Sequence, residues 1–214
     1  MHFRSLISIS ALVLVPFLGA ACSSTSQGST KAEPLPASMR SEEAMMEKWM
    51  AYATPGAEHK KLDERVGKWN LKVRSWRAPG APVEESNATA EVKWVLDGHY
   101  LTEDVKGQMT MGEGQTMNFQ GRGMMGYDNA KKQYFSTWAD NMGTGLFVSR
   151  GNFDSTGKTM TLDGEMVCPM RGHEIPMRTI ETRMSPDQWK MEMYGPDADG
   201  KEFKAMEIVY TRAK

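Results

Sequence analysis

The side chains best suited to gripping a molecule lie within residues 119–150, FQGRGMMGYDNAKKQYFSTWADNMGTGLFVSR. Its middle offers Phe135, Thr137, Trp138, Asp140 and Asn141, so large apolar rings stand beside hydrogen-bonding groups. That mixture is what a small-molecule pocket needs. On a strand, alternation puts Phe135, Thr137, Ala139 and Asn141 on one face and Tyr134, Ser136, Trp138 and Asp140 on the other. Sequence leaves open which face of 133–142 turns inward. Trp94, Phe119 and Arg150 complete the expected ligand-binding set.

A second grouping has soft donors. Cys168, Met170 and His173 place a thiol, a thioether and an imidazole close together, and Met109/Met111 and Met191/Met193 are Met-x-Met pairs. Such ligands suit Cu(I). Methionine also fills irregular cores, and exposed methionines can take up oxidant as sulfoxide. The expectation is therefore no metal site and no cofactor, with copper or oxidant handling through Cys168, Met170 and His173 as an alternative. Haem would need an axial histidine, and His59, His99 and His173 all lie outside the final strand.

Catalytic patterns are missing. There is no Gly-x-Ser-x-Gly, no His-Glu-x-x-His and no glycine-rich phosphate loop ahead of a helix. The acidic neighbours Glu84-Glu85 and Glu103-Asp104 make no acid/base set, because adjacent strand residues point to opposite faces, and both pairs read as solvated charges. Asp140 could work with His99 or His173 only if folding joined them. No catalytic residue is assigned. Arg150, Arg178, Glu181 and Arg183 fall in strand-like segments, and any that turned inward would demand a partner.

The elements that must position these groups are strands. Trp69, Leu71 and Val73 alternate with polar residues, as do Ala88, Ala90, Val92 and Trp94. Met117, Phe119, Gly121, Gly123 and Met125 mark another inward face, its glycines suited to curvature or close packing. Turns are expected at Asp97-Gly98, at Asp128-Asn129, and at Gly143 with Gly145, where glycine would supply special backbone angles. Residues 107–114 read as a loop. About ten antiparallel strands follow one another without intervening helices, which points to an all-β barrel or sandwich.

Ahead of them, 38–54 reads as a helix with Met45, Trp49 and Ala53 on one face, expected to pack on the domain as a plug or lid. Residues 1–21 read as a signal peptide whose apolar run, 6–18, is too short to span a bilayer. Gly19-Ala20-Ala21-Cys22 follows Leu18 and resembles a bacterial lipobox, with leucine one place further out than usual. That resemblance implies acylation at Cys22. Residues 22–37, rich in Ser and Thr, are expected to form a disordered tether. The domain occupies 55–214. The expected location is the cell envelope, lipid-anchored and facing the periplasm or cell surface, with a soluble periplasmic protein as the alternative. The 26 basic and 27 acidic residues form no long run of either sign, which excludes nucleic acid as a partner and confines membrane contact to the anchor.

Gly67-Lys68-Trp69 at the first strand and Tyr210-Thr211-Arg212 at the last resemble the calycin superfamily of lipocalins and fatty-acid-binding proteins. The resemblance implies a closed antiparallel barrel in which Arg212 packs over Trp69 at one end. Pro55-Gly56-Ala57-Glu58-His59-Lys60, Gly126-Tyr127-Asp128-Asn129, Ser136-Thr137-Trp138, Asp140-Asn141-Met142-Gly143-Thr144-Gly145 and Glu202-Phe203-Lys204 resemble the bacterial domain-of-unknown-function family numbered 1579. That likeness covers about residues 55–212 and implies no activity. The functional expectation is a non-enzymatic binder of a small apolar or amphipathic molecule. The alternative is a packed barrel that serves as a structural or interaction protein, contacting partners through the helix or the 109–117 loop.

Overall fold

The computed structural model describes residues 33–110 and 116–214. The signal, Cys22, most of the tether and the tip of the 109–117 loop lie outside the described residues.

Ten strands close into an antiparallel barrel in which each strand pairs with its sequence neighbours and the first pairs with the last. They are β1 (Gly67–Ser75), β2 (Glu84–Val95), β3 (Tyr100–Thr110), β4 (Thr116–Asp128), β5 (Gln133–Asp140), β6 (Phe147–Phe153), β7 (Thr159–Cys168), β8 (His173–Ser185), β9 (Gln188–Pro196) and β10 (Glu202–Arg212). Closure leaves no sheet edge to recruit another chain. The all-β, ten-strand expectation holds. The loop expected over 107–114 does not begin where the glycine suggested. β3 runs on to Thr110, and Met109 pairs with Met117 of β4.

Alternation decides the two faces. On β1, Trp69 and Leu71 are buried while Lys68, Asn70 and Lys72 are exposed. That outer row is polar, whereas a lipid-facing wall would be apolar. Among the described residues no helix is long and apolar enough to cross a membrane.

Turn chemistry fixes the register. Asp128 Oδ1 accepts from the backbone N–H groups of Ala130 (2.9 Å) and Lys131 (3.0 Å). Leu96, Asp97 and Gly98 all adopt positive φ at the β2–β3 turn. Gly143 and Gly145 do not, contrary to expectation. The connection between Asp140 and Phe147 is wide enough to turn with ordinary angles.

The end of the barrel near Gly67 is filled and capped. A 3-10 turn, Asp63–Arg65, lies across it, and Leu62 is wholly buried beneath. Tyr134, Met160 and Leu162 pack around Leu62 in one core cluster, with Tyr127 and Phe153 against it. Arg212 sits over the Trp69 ring at 4.2 Å, donates to the carbonyls of Val66 and Glu64 (both 2.8 Å), and pairs with Asp187 at 2.8 Å. Gly67, at φ +136, leaves room for this guanidinium; a Cβ there would meet Nη1 at 2.6 Å.

The helix does not pack as a lid. α1 (Glu42–Ala53) is capped by Ser41 but buries no residue. Only its C-terminal end is held. Asn129 Nδ2 donates to the carbonyls of Tyr52 and Thr54, both at 2.9 Å. His99 Nε2 lies 2.7 Å from the Ala53 carbonyl. Met46 and Trp49, 57 % and 63 % exposed, stand clear of the barrel. The apolar spacing reflects a helical period, not burial against this domain.

Candidate functional site

Above the filled end, the barrel is hollow. A cavity of about 480 Å³ occupies its other half, within the range of roughly 300–1,000 Å³ that holds small ligands. Leu71, Val73, Ala88, Val105 and Ile208 give it an apolar wall. Eight methionines also line it, among them Met109, Met166, Met193 and Met206 toward the open end. Unbranched thioether side chains adapt to irregular shapes.

The central stretch contributes one face only. Tyr134, Ser136, Trp138 and Asp140 turn inward, and the last three line the cavity. Trp138 donates from Nε1 to Asp140 Oδ2 at 2.9 Å and stacks on Phe119 with centroids 6.4 Å apart. Its indole lies where a Cβ on Gly121 would be, 2.2 Å from that position. The glycines of β4 are thus the seat of this ring.

The other face corrects part of the expected binding set. Phe135 packs outside against Tyr100, centroids 5.9 Å apart. Thr137 shares that outer face, its hydroxyl bonding to the Met124 carbonyl at 3.4 Å. Asn141 ties β5 to β4, accepting from Gln120 N and donating to Asn118 O, both at 2.9 Å. Arg150 is exposed on the outer wall between inward-facing Ser149 and Gly151. Trp94 turns inward but at the filled end, its Nε1 bonded to Asp63 Oδ1 at 2.9 Å, below the cavity. Of the expected set, Phe119, Trp138 and Asp140 line the cavity.

The cavity floor holds Glu181, which the sequence expects to need a partner if it turned inward, together with Arg65, to which the sequence assigns no role. Arg65, at the end of the 3-10 turn, points up into the barrel and pairs with Glu181 of β8; their side chains are only 15 % and 10 % exposed. The Arg65 guanidinium carbon also lies 4.5 Å from the centre of the Trp189 ring. Glu103 and Tyr210 line the same floor. Asp104, by contrast, faces outward and pairs with Arg122 at 2.6 Å. So of the Glu103-Asp104 pair, expected to be solvated, Glu103 turns inward: a strand that alternates sends one of two neighbours in. The remaining strand charges lie elsewhere. Arg183 pairs with Glu64 at 2.7 Å near the closed end, and Arg178 with Glu202.

Burial, and then the neighbouring Glu181 carboxylate, push the Glu103 carboxyl up to about 7. A hydrogen bond from Tyr210 and the charge of Arg65 oppose that rise. The Tyr210 hydroxyl is pushed well above its ordinary value, chiefly by burial and then by Glu103. One Glu103 oxygen is buried with no hydrogen-bond partner among the described residues.

A raised carboxyl holds its proton more tightly folded than unfolded. Its contribution to stability is complete below about 4.5 and lost as pH climbs through about 7. Glu103→Gln is therefore expected to be more stable than the parent at pH 8, by about 2–3 kcal/mol, and level with it near pH 4. Urea unfolding at both pH values measures this, and parallel curves for the two proteins would contradict it.

The soft-donor grouping is split. Cys168 and His173 face each other across the β7–β8 hairpin, while Met170 at its tip is 93 % exposed. Among the described residues no cluster of three or more His, Cys, Asp or Glu is placed to hold a metal. His99 lies at the closed end with α1, whereas Asp140 lines the open half, so these two form no acid–base pair.

Fold and site together define a closed antiparallel barrel with a half-filled interior and a largely apolar cavity above a charged floor. Within that class, the chain belongs to the family described as "Protein of unknown function (DUF1579)", whose model matches residues 54–212. Among solved structures it is similar to Rv2717c from M. tuberculosis, at 12 % identity and TM-score 0.53, covering 75 % of this chain and 100 % of that one. A redesigned β-barrel aligns at 17 % identity and TM-score 0.35, covering 76 % and 100 %. No curated protein matches the chain.

Proposed function

We propose that this protein is a non-enzymatic binder of a small amphipathic molecule, exported and tethered to the cell envelope through Cys22. The cavity of about 480 Å³ with its apolar wall is the observation that carries the reading. An apolar hollow that size would cost the barrel dispersion contacts if it stayed empty. Trp138, Phe119 and the cavity methionines would grip the apolar part of such a ligand. Arg212 stacked over Trp69 in a ten-strand barrel supports a calycin-like ancestry.

Titration with a neutral, environment-sensitive dye such as Nile red tests this. The expected result is saturable one-to-one binding with a blue-shifted emission, lost at least tenfold in Val73→Trp, which places an indole in the cavity. Equal dye binding by the variant would move the site to the protein surface.

A further inference from the structure

The floor carries more negative charge than it neutralises. Arg65 pairs through Nη1 with Glu181 and lies over the face of Trp189, while its Nε and Nη2 have no hydrogen-bond partner among the described residues. Glu103, across the same floor, has no cation of its own and keeps an unpartnered buried oxygen among the described residues. A buried carboxyl oxygen without a partner is costly, and a ligand that donates to it removes that cost.

We propose that the polar end of the ligand is an aliphatic amine, primary or secondary, seated on Glu103 with its apolar tail running up the methionine-lined wall. The inference rests on the binder reading above and adds the headgroup to it. The groups facing Glu103 are Glu181 from β8, Arg65 from the 3-10 turn and Tyr210 from β10. The inward residues of the adjoining strands, Ala90 and Val92 of β2 and Met125 of β4, carry no charge. A carboxylate headgroup would meet two carboxylates there against a single guanidinium. An ammonium meets the opposite balance, and its N–H groups supply the donor that the Glu103 oxygen lacks.

Binding of such a cation is linked to the proton on Glu103. An alkylammonium keeps its charge between pH 5 and 8, as lysine does. The carboxyl, held up to about 7, is mostly ionised at pH 8 and mostly protonated at pH 5. Amine affinity should therefore fall on acidification, by about tenfold or more.

The test is calorimetric titration of the protein with dodecylamine, dodecanol and dodecanoate, each below its micelle concentration, at pH 8 and pH 5. Dodecylamine is expected to bind at least tenfold tighter than dodecanol at pH 8, to lose that advantage at pH 5, and to bind Glu103→Gln no better than dodecanol does. Dodecanol affinity is expected to stay the same across pH and in the variant, which shows that the variant's cavity is intact. Equal binding of amine and alcohol at pH 8, or tighter binding of dodecanoate, overturns the headgroup assignment and leaves the binder reading standing. No binding by any of the three overturns both.

Discussion

Arg65→Met is expected to destabilise the barrel by about 3–5 kcal/mol at pH 8, the usual cost of removing one partner from a buried ion pair. The reason is local. Among the described residues Arg65 is the one cation whose side chain faces the floor, and its loss leaves Glu181 and Glu103 together in a poorly solvated space. Their mutual repulsion adds to the burial that already holds Glu103 up to about 7. Raising a folded carboxyl further deepens the stability lost as pH rises. The penalty should thus shrink toward pH 4, where protonation removes the charge that the guanidinium neutralised. Chemical unfolding of parent and variant at pH 8 and pH 4 measures both halves. A penalty independent of pH would mean that Arg65 works by packing on Trp189 and not by charge.

Trp69→Ala should cost a similar amount, about 3–5 kcal/mol, but without the pH dependence. Trp69 is 2 % exposed and donates from Nε1 to the Arg65 carbonyl at 2.8 Å. Its face supports Arg212 and its edge meets Tyr210, with centroids 6.5 Å apart. Truncation leaves a large hole between the 3-10 turn and the barrel, and removes the surface on which Arg212 spans β1, β10 and the β8–β9 turn. Thermal unfolding measures the loss. Because Arg65 is anchored through that carbonyl, the variant should also show weakened ligand binding at temperatures where it remains folded. A stability loss near 1 kcal/mol would mean that the closed end repacks around the gap.

The two variants bear on how far the sequence could be read. The inward face of β1 was plain, because Trp69, Leu71 and Val73 alternate with Lys68, Asn70 and Lys72 and no other register buries the apolar set. The strand count followed from turn residues that have a mechanism, such as Asp128 binding two backbone N–H groups. β5 was ambiguous, since aromatic and polar residues stand on both of its faces. Only the closed sheet decides that Trp138 lies inward over Gly121 and Phe135 outward on Tyr100.

The floor was illegible for a different reason. Arg65 belongs to a short 3-10 turn, which has no periodicity to reveal direction, and its partner Glu181 is more than a hundred residues away. Glu181 would need a partner if it turned inward, but nothing in the sequence says that it does. Glu103 and Asp104 both read as solvated, because alternation alone does not say which of the two turns inward. α1 shows the converse error. Its Met and Trp spacing satisfies a helical pattern, yet none of its residues is buried.

The central claim is that the open half of the barrel takes up a small molecule. Native mass spectrometry of the protein isolated from its host without denaturant tests it most directly. The account predicts a discrete small-molecule adduct that disappears on denaturation and that added dodecylamine replaces. A bare polypeptide mass in every preparation, unchanged by excess dodecylamine or dodecanol, would contradict it.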